Sequence, residues 1–489
     1  MKCNSLAVVA LLCAATGAHA QWPAYPYPYP YPTYYYPAPQ PQYYYLGPYP
    51  VYYGPLYHAP EASVAISDDA PIAPAKLLPV TKAKRAIKAA PVQETAPPEA
   101  TPPEPDHFTM MWNAVADWAR NPGEPLPRNE TWWLNGGYMG AFLRPMHVNG
   151  PLVTTGSILD TSPGAVGSPN TRVLFGDNRI NDNLASGFSL SAGRFLDPEH
   201  RLSIESTIFF VTANNTNTSF QGDGNGNPLL TRPVFATDLG RQAVFFNSFP
   251  GALDGRLDVS FRSNLGSAEL NGRYDAFSGS RFRSDLLLGF RYARLEDRMQ
   301  IQESINALPG TTIPFNGQNF TNLVNSDSFN SVNQFFGGQL GGRVAYDHPW
   351  FNLALFGKLA LGGTLQQVNI NGSTAFLSPA GAVTAPGGVL ALPSNIGTYQ
   401  RSVFGILPEL GFNVGLKVTD HVRADMGYSA LLWNRVARGG SNIDTSVNTG
   451  LAPGAPNYGV VTGPVAPTFR FNDEFFWTHT FRLGLTVSY

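Results

Sequence analysis

The chain is poor in cysteine, in charge and in long apolar runs. Its two cysteines, Cys3 and Cys13, lie near the start of the 489 residues, so the chain beyond them contains no thiol. Disulfides, thiolate metal sites and cysteine nucleophiles are thereby excluded from that part. No segment offers the roughly 18 consecutive apolar residues of a membrane helix. The formal net charge of -2 gives no indication of nucleic-acid binding.

What the chain does contain points to export and to a barrel. Residues 1–20 combine Lys2, an apolar core over 6–13 and a final Ala-His-Ala, which predicts a secretory signal peptide. Aromatic residues make up 12% of the chain and charged residues only 13%, with 49 glycines and a mean hydropathy of -0.13. An exported chain of this composition without membrane helices is typical of a transmembrane β-barrel.

Three segments of biased composition follow the signal peptide. Residues 21–60 are mostly tyrosine and proline, which predicts a low-complexity segment that is disordered or in polyproline II. This segment is either a semi-rigid spacer or a tract that binds carbohydrate or protein partners or cross-links through its tyrosines. Residues 61–105 have the Ala/Pro/Lys composition of a linker, and their basic run is either solvated or in contact with cell-wall polymer. Residues 106–120 have apolar side chains at helical spacing and predict a short amphipathic helix.

The end of the chain has the alternation of a membrane strand. Apolar or aromatic residues and one histidine occupy every second position, namely Trp477, His479, Phe481, Leu483, Leu485, Val487 and Tyr489. The intervening residues are small or polar and include Arg482. A period of two places the two sets on opposite faces of a strand, as expected with lipid on one side and water on the other. Taken alone, the pattern fits an edge strand of a soluble β-sandwich equally well.

Segments with the same period recur from Glu130 onward and predict roughly ten strands, within a range of about 8 to 12. Short turns alternate with five long connections, at 144–185, 212–255, 296–334, 364–403 and 434–474. Short turns on one side and long loops on the other are the outer-membrane pattern, which a sandwich does not require.

We therefore predict an all-β fold, an antiparallel up-and-down transmembrane barrel over residues 129–489. It is expected to be integral to the bacterial outer membrane. The N-terminal segment and the C-terminus are expected in the periplasm, with the long loops outside the cell.

The inward positions of the predicted strands carry both signs of charge. The residues expected to face the lumen are Glu205, Glu269, Arg273, Arg283, Asp285, Arg291, Arg343, Lys358, Glu409, Lys417, Arg423, Asp425 and Arg482. Barrels of about eight strands are filled by their own side chains, whereas open channels have about 16 to 18 strands. Because bases outnumber acids, we expect a small current with a mild anion preference. The alternative is a structural charge network that passes no solute.

Catalysis, metals and cofactors are not indicated. Most histidines lie in loops and turns, without metal-ligand spacing or a nucleophile elbow. Residues 223–227 begin like a calcium loop, but Pro228 replaces the required glycine and Val234 replaces the final glutamate. We expect no enzyme activity, no cofactor and no metal.

Five stretches of the predicted barrel are specific enough to suggest a family. They are GPLVTTGS from Gly150, TRVLFGDN from Thr171, DLLLGFRYARLEDR from Asp285, and the longer stretches 353–374 and 392–433. In this order, from about Trp132 to Tyr489, the chain resembles the beta barrel porin-7 family of bacterial outer-membrane proteins. The resemblance implies an outer-membrane barrel, does not cover the tyrosine/proline segment and supplies no binding residues.

Two functions of different classes are compatible with this barrel. The first is a narrow porin-like channel for the transport of small solutes. The alternative is a structural or adhesive surface protein, anchored by the barrel and tethered to the cell wall through the N-terminal segment. The expected partners are outer-membrane lipid and cell-wall polymer, and no nucleic acid.

Overall fold

The computed structural model describes residues 130–180, 184–213 and 215–489. The predicted signal peptide (1–20), low-complexity segment (21–60), linker (61–105) and amphipathic helix (106–120) lie outside the described residues. Within the described part, no helix has the length and apolar character needed to cross a membrane.

Ten antiparallel strands form a closed ring. Each strand pairs with its neighbours in sequence, and the last pairs with the first. The strands are β1 (Trp132–Leu143), β2 (Leu184–Phe195), β3 (Leu202–Thr212), β4 (Leu253–Ser278), β5 (Phe282–Ala307), β6 (Asn322–Asp347), β7 (Phe351–Ser378), β8 (Gly397–Lys417), β9 (Val422–Ala437) and β10 (Asp473–Ser488). Closure leaves no unpaired edge in the ring. The predicted all-β barrel of roughly ten strands is confirmed.

The alternation in β10 separates a lipid-facing surface from an interior. Leu483 and Leu485 are 58% and 56% exposed, whereas Thr480 and Thr486 on the other face of the strand are buried. The same division holds on β1, where Leu134 and Tyr138 are exposed and Met139 is buried. Apolar side chains outside and closely packed side chains inside are the arrangement expected of a strand in lipid.

The outward apolar band has a measurable height on β5. It runs from Phe282, which contacts Tyr346, to Tyr292, which contacts Phe336, and both pairs of rings have centroids 4.9 Å apart. Ten residues of a strand tilted by about 40° rise roughly 25 Å, which is the height of the apolar band of an outer-membrane barrel. The two aromatic pairs therefore mark its lower and upper limits.

Strands β4 to β7 continue far above this band. They have 26 to 28 residues, whereas β1 to β3 have 11 or 12. The predicted long connections were wrong in extent, because 296–307 and 322–334 belong to β5 and β6, and only 308–321 connects them. Above the apolar band, the outward-facing residues become polar. The alternation of apolar and polar residues is lost there, although every second residue still faces inward, and the strands were therefore predicted too short.

The long connections contain short strands of their own. Their bounds are Met146–His147, Pro151–Thr155, Arg172–Gly176, Arg179–Ile180, Thr216–Gly222, Thr231–Ala236, Arg241–Phe246, Ile313–Phe315, Gln318–Phe320, Gly381–Pro386 and Ser446–Val447. Two 3-10 turns, Gly440–Asn442 and Thr449–Leu451, lie in the last connection. Strands from three different connections form one five-stranded sheet, so the long connections fold together at one end of the barrel.

Candidate functional site

The lumen has a charged cavity at the end of the barrel that bears the short turns. This lower cavity has a volume of about 220 Å³ and is lined by side chains from all ten strands. Such a volume holds on the order of ten or more water molecules, since each requires roughly 10 to 15 Å³. Exposure of the charged groups decreases upward, from 32% for the Arg423 side chain near the mouth to 0% for Arg291. The cavity therefore opens toward the short-turn end and closes toward the middle of the barrel.

Twelve of the thirteen residues predicted to face the lumen lie in or beside this cavity. Eleven line it, namely Glu205, Glu269, Arg273, Arg283, Arg291, Arg343, Lys358, Glu409, Arg423, Asp425 and Arg482. Asp285 is buried beside it and accepts a hydrogen bond from Arg273 at 2.8 Å. Lys417 has the same inward register, but it is the last residue of β8, where it is exposed and does not line the cavity.

Ion pairs connect strands that are not neighbours in the ring. Arg291 of β5 contacts Glu409 of β8 at 2.7 Å, and Lys358 of β7 contacts Glu269 of β4 at 2.7 Å. Arg291 also lies 3.5 Å from Glu269, which joins the two pairs into one network. Because these contacts reach across part of the lumen, they join strands three places apart in the ring and narrow the passage between them.

Two arginines of the cavity are less fully compensated by carboxylates. Among the described residues, the polar contact of Arg482 is a hydrogen bond of 2.8 Å to Asn413 Oδ1. Arg343 lies 3.7 Å from Asp285, whose carboxylate already binds Arg273. The positive charge of these two guanidinium groups is therefore only partly offset by carboxylates close to them.

An apolar layer closes the lumen above this cavity. It is one contiguous buried cluster to which all ten strands contribute, comprising Met139, Ala141, Leu143, Ala185, Val211, Ala213, Leu265, Ala293, Leu295, Phe335, Ala360, Leu407, Leu431, Trp433, Val436 and Phe476. The rings of Phe335 and Trp433, on β6 and β9, lie 6.2 Å apart across the lumen, and Trp433 donates a hydrogen bond to Thr364 Oγ1. Wall side chains alone therefore fill the cross-section, as in small barrels.

A loop cap covers the apolar layer at the long-loop end. Its core joins residues of four long connections, such as Leu152, Leu230, Leu390 and Ile443, to inward-facing wall residues of β4 to β7, such as Val259. The wall residues occupy the upper parts of the tall strands, so the cap lies within a continuation of the barrel. Dense apolar packing of this kind leaves few voids larger than a water molecule.

Two buried arginines attach the loop cap to the barrel wall. Arg232, in the connection after β3, binds both Glu303 of β5 and Asp327 of β6. The side chains of all three are at most 1% exposed. Asp327 also accepts hydrogen bonds from the backbone N–H groups of Val389, Leu390 and Ala391 in the connection after β7. One carboxylate therefore fixes two loops at once.

The second attachment, at Arg438 after β9, is built in the same way. Arg438 binds Asp297 of β5, and both side chains are at most 1% exposed. It also donates a hydrogen bond of 2.9 Å to the carbonyl oxygen of Arg144, while Ser263 donates one of 2.6 Å to Asp297. The first and last long connections are thus joined to the same point on the wall.

Sequence reasoning missed these attachments. The wall partners Asp297, Glu303 and Asp327 continue the inward period of β5 and β6, and this alternation was the available signal. Arg232 and Arg438 lie in irregular connections, where no periodicity indicates which way a side chain points.

A contact between two loops of the cap is sensitive to pH. Burial acts to raise the pKa of Asp238, but hydrogen bonds from Thr449 and Asn457 hold the pKa below its ordinary value. A depressed pKa adds stability above the ordinary value, and this stability is lost as the pH falls through the native pKa. We expect the amide of Thr449, which donates to Asp238, to exchange its hydrogen faster below about pH 4, relative to its intrinsic rate.

Hydrogen exchange measured by mass spectrometry at several pH values checks this expectation. Asp238→Asn, which removes the titrating carboxylate, should show weaker protection at neutral pH and no acid-dependent step. An acid-dependent step that persists in Asp238→Asn would contradict the assignment.

The described residues contain no group of three or more histidine, cysteine, aspartate and glutamate side chains placed to hold a metal ion.

Comparison with solved structures gives distant barrel matches. The outer-membrane protease OmpT of Escherichia coli is 11% identical with a TM-score of 0.34, and the match covers 75% of this chain and 98% of that one. The toluene transporter TodX of Pseudomonas putida is 9% identical with a TM-score of 0.18, covering 76% and 93%. A FadL homologue of Pseudomonas aeruginosa is 8% identical with a TM-score of 0.18, covering 73% and 90%. These scores carry no argument about function.

Sequence comparison gives a family but no characterised relative. No protein with a curated description matches the chain. The model of one protein family, described as Putative beta barrel porin-7, matches residues 131–489. This range begins just before β1 and ends with β10, so it includes the whole ring of ten strands. The chain is an outer-membrane β-barrel protein and belongs to the beta barrel porin-7 family.

Proposed function

We propose that the protein is a closed outer-membrane barrel that anchors a folded loop cap at the cell surface. The observation that carries this proposal is the apolar layer, to which all ten strands contribute. An ion that crosses this layer must lose its water, and an unpaired charge in an apolar environment costs many kcal/mol. The closed barrel therefore favours an anchoring function over ion conduction.

The attachments of the loop cap support the same function. A lid that opens readily is held by few contacts and exposed hydrogen bonds. The cap is instead held by two fully buried arginines and an apolar core. Its rigidity suits a surface that presents a fixed shape to partners outside the cell.

The proposed orientation places the long loops outside the cell and both chain ends of the barrel in the periplasm. Thr131 and Tyr489 are joined by backbone hydrogen bonding at the short-turn end. With ten strands, the N-terminal segment that precedes β1 then lies on the periplasmic side, where it can reach the cell wall. We assign no catalytic reaction to the protein, and its proposed partners are outer-membrane lipid and cell-wall polymer.

Single-channel recording tests the closed barrel directly. We expect no discrete conductance steps in a planar bilayer from the chain lacking residues 1–20, or from a version beginning at Arg128. Circular dichroism rich in β-structure must confirm insertion in both cases. Steps in both proteins would contradict the closed barrel, and steps in the shorter version alone would make the N-terminal segment a plug.

A narrow porin-like channel is the second candidate. The lower cavity favours it, because this charged, water-accessible space with two incompletely compensated arginines reaches from the short-turn end to the middle of the barrel. Conduction would require the apolar layer and the loop cap to move. If steps are recorded, their reversal potential in a salt gradient should indicate anion preference, and cation selectivity would contradict the role given to the lumen arginines.

A further inference from the structure

A pair of arginines faces outward on the tall strands, above the apolar band. Arg262 of β4 lies directly opposite Arg298 of β5 in the strand register, and both side chains are exposed. The side chains of such pairs begin only about 5 Å apart, and like charges in this position destabilise a sheet. The alternation of the barrel does not require this arrangement, and an anion beside the pair would relieve the repulsion.

The carboxylates near this pair do not balance it. Glu296 binds both Arg294 at 3.0 Å and Arg298 at 2.6 Å. Among the described residues, the side-chain contact of Arg262 is with the hydroxyl of Thr212, at 3.1 to 3.2 Å. We call Arg262, Arg294, Glu296 and Arg298 the basic cluster, and it carries two more positive than negative charges.

The basic cluster is local rather than part of a general charged rim. On the other side of β5, Arg298 and Arg294 are opposite Asn330 and Gln334 of β6, which are uncharged. Higher on the same face of β4, Arg256 is already neutralised by Asp258 at 2.9 Å. Excess positive charge on this face is therefore concentrated at one place.

The height of the cluster indicates which kind of anion would lie beside it. Arg294 follows Tyr292, at the upper limit of the apolar band, by two residues, and Arg298 follows it by six. With the rise and tilt of a barrel strand, the two backbones lie about 5 Å and 15 Å above the band. The polar headgroup region of a phospholipid is only about 6 Å deep on each side. The cluster therefore extends above ordinary phospholipid phosphates.

We infer that the basic cluster binds the headgroup of a phosphorylated glycolipid in the leaflet at the long-loop end. Such a headgroup carries its phosphates on sugars, so its negative charge extends several ångströms above the acyl chains. Guanidinium groups suit this ligand because they donate paired hydrogen bonds to phosphate oxygens. The apolar band directly below would contact the acyl chains of the same lipid, so one molecule can occupy both surfaces.

Lipid titration of the purified chain in neutral detergent tests this inference. The ligands are the bisphosphorylated acyl-glucosamine disaccharide lipid A, phosphatidylglycerol and inorganic phosphate, with binding followed by native mass spectrometry and thermal stabilisation. We expect lipid A to bind most tightly. Substituting both arginines in R262Q/R298Q should weaken lipid A binding roughly 30-fold, at about fivefold for each arginine near an anionic surface.

A matched variant distinguishes specific binding by the basic cluster from the general effect of removing one positive charge. Arg256→Gln removes an arginine from the same strand and face, but one that is already paired, and should leave lipid A binding unchanged. The characteristic gel shift of folded barrels on heating verifies folding of every variant. Equal affinity of R262Q/R298Q and the unsubstituted chain would overturn the inference, as would equally tight binding of phosphatidylglycerol or full competition by inorganic phosphate.

Discussion

Replacing Arg232 by methionine should destabilise the loop cap by about 3–5 kcal/mol, because it leaves two carboxylates buried without their cation. Glu303 and Asp327 are both fully buried, and methionine fills the volume of the arginine stem without its charge. The amides of Val389, Leu390 and Ala391 donate to Asp327 and report on this attachment. We expect their hydrogen exchange to become roughly 100-fold faster or more.

The control for Arg232→Met is Arg256→Met on the outer face of β4. Arg256 forms an ion pair in which both partners are largely exposed, and such pairs contribute little to stability. Exchange at 389–391 should not respond to this change. Adding Glu303→Gln to Arg232→Met should recover part of the protection, since one of the uncompensated charges is removed. Unchanged exchange in Arg232→Met would show that the apolar core alone holds the cap.

Replacing Trp433 by alanine should cost about 3–5 kcal/mol of barrel stability, the usual effect of deleting a large buried aromatic ring. Trp433 is fully buried, contacts Phe335 across the lumen and donates to Thr364, so the substitution also leaves a buried hydroxyl without its donor. Unfolding by guanidinium in lipid vesicles, followed by intrinsic fluorescence, measures the loss.

Conductance should nevertheless remain absent in Trp433→Ala. The cavity left behind is lined by the apolar layer and the Thr364 hydroxyl, and one hydroxyl is fewer than the two to four polar partners that a buried water molecule needs. Trp350→Ala is the control, because Trp350 lies exposed in the turn before β7 and its removal should cost far less. Equal stability losses for the two variants would mean that the apolar layer is not tightly packed. Regular current steps in Trp433→Ala would show that this single ring closes the lumen.

The ring of strands was predictable because its signal is local. A period of two needs only a few consecutive residues, and Leu483 and Thr486 already define the two faces of β10. The same alternation also predicted which charged residues face the lumen, since Arg291 and Glu409 occupy inward positions on their own strands. The alternation does not predict how high along the barrel axis a residue lies. Lys417 therefore has the inward register and yet is exposed at the end of its strand.

The loop cap was not predictable from the same signal. Arg232 meets Glu303 and Asp327 across 71 and 95 residues of sequence, and the contact depends on the path of an irregular loop. The apolar layer was hidden for a different reason. Leu265 and Leu295 are ordinary strand residues, and whether such side chains meet across a lumen depends on the diameter of the closed ring.

In the proposed orientation, the unequal heights of the strands give the extracellular part of the molecule a front and a back. The tall strands β4 to β7 form a continuous hydrogen-bonded wall beside the loop cap, whereas the short strands β1 to β3 end near the membrane and leave that flank to the long connections and their short strands. Antibodies, phage or neighbouring cells would therefore meet different surfaces depending on their direction of approach. Variation under immune or viral pressure should accumulate in exposed loop residues such as Leu159 and Leu239, while the tall strands keep their alternating pattern.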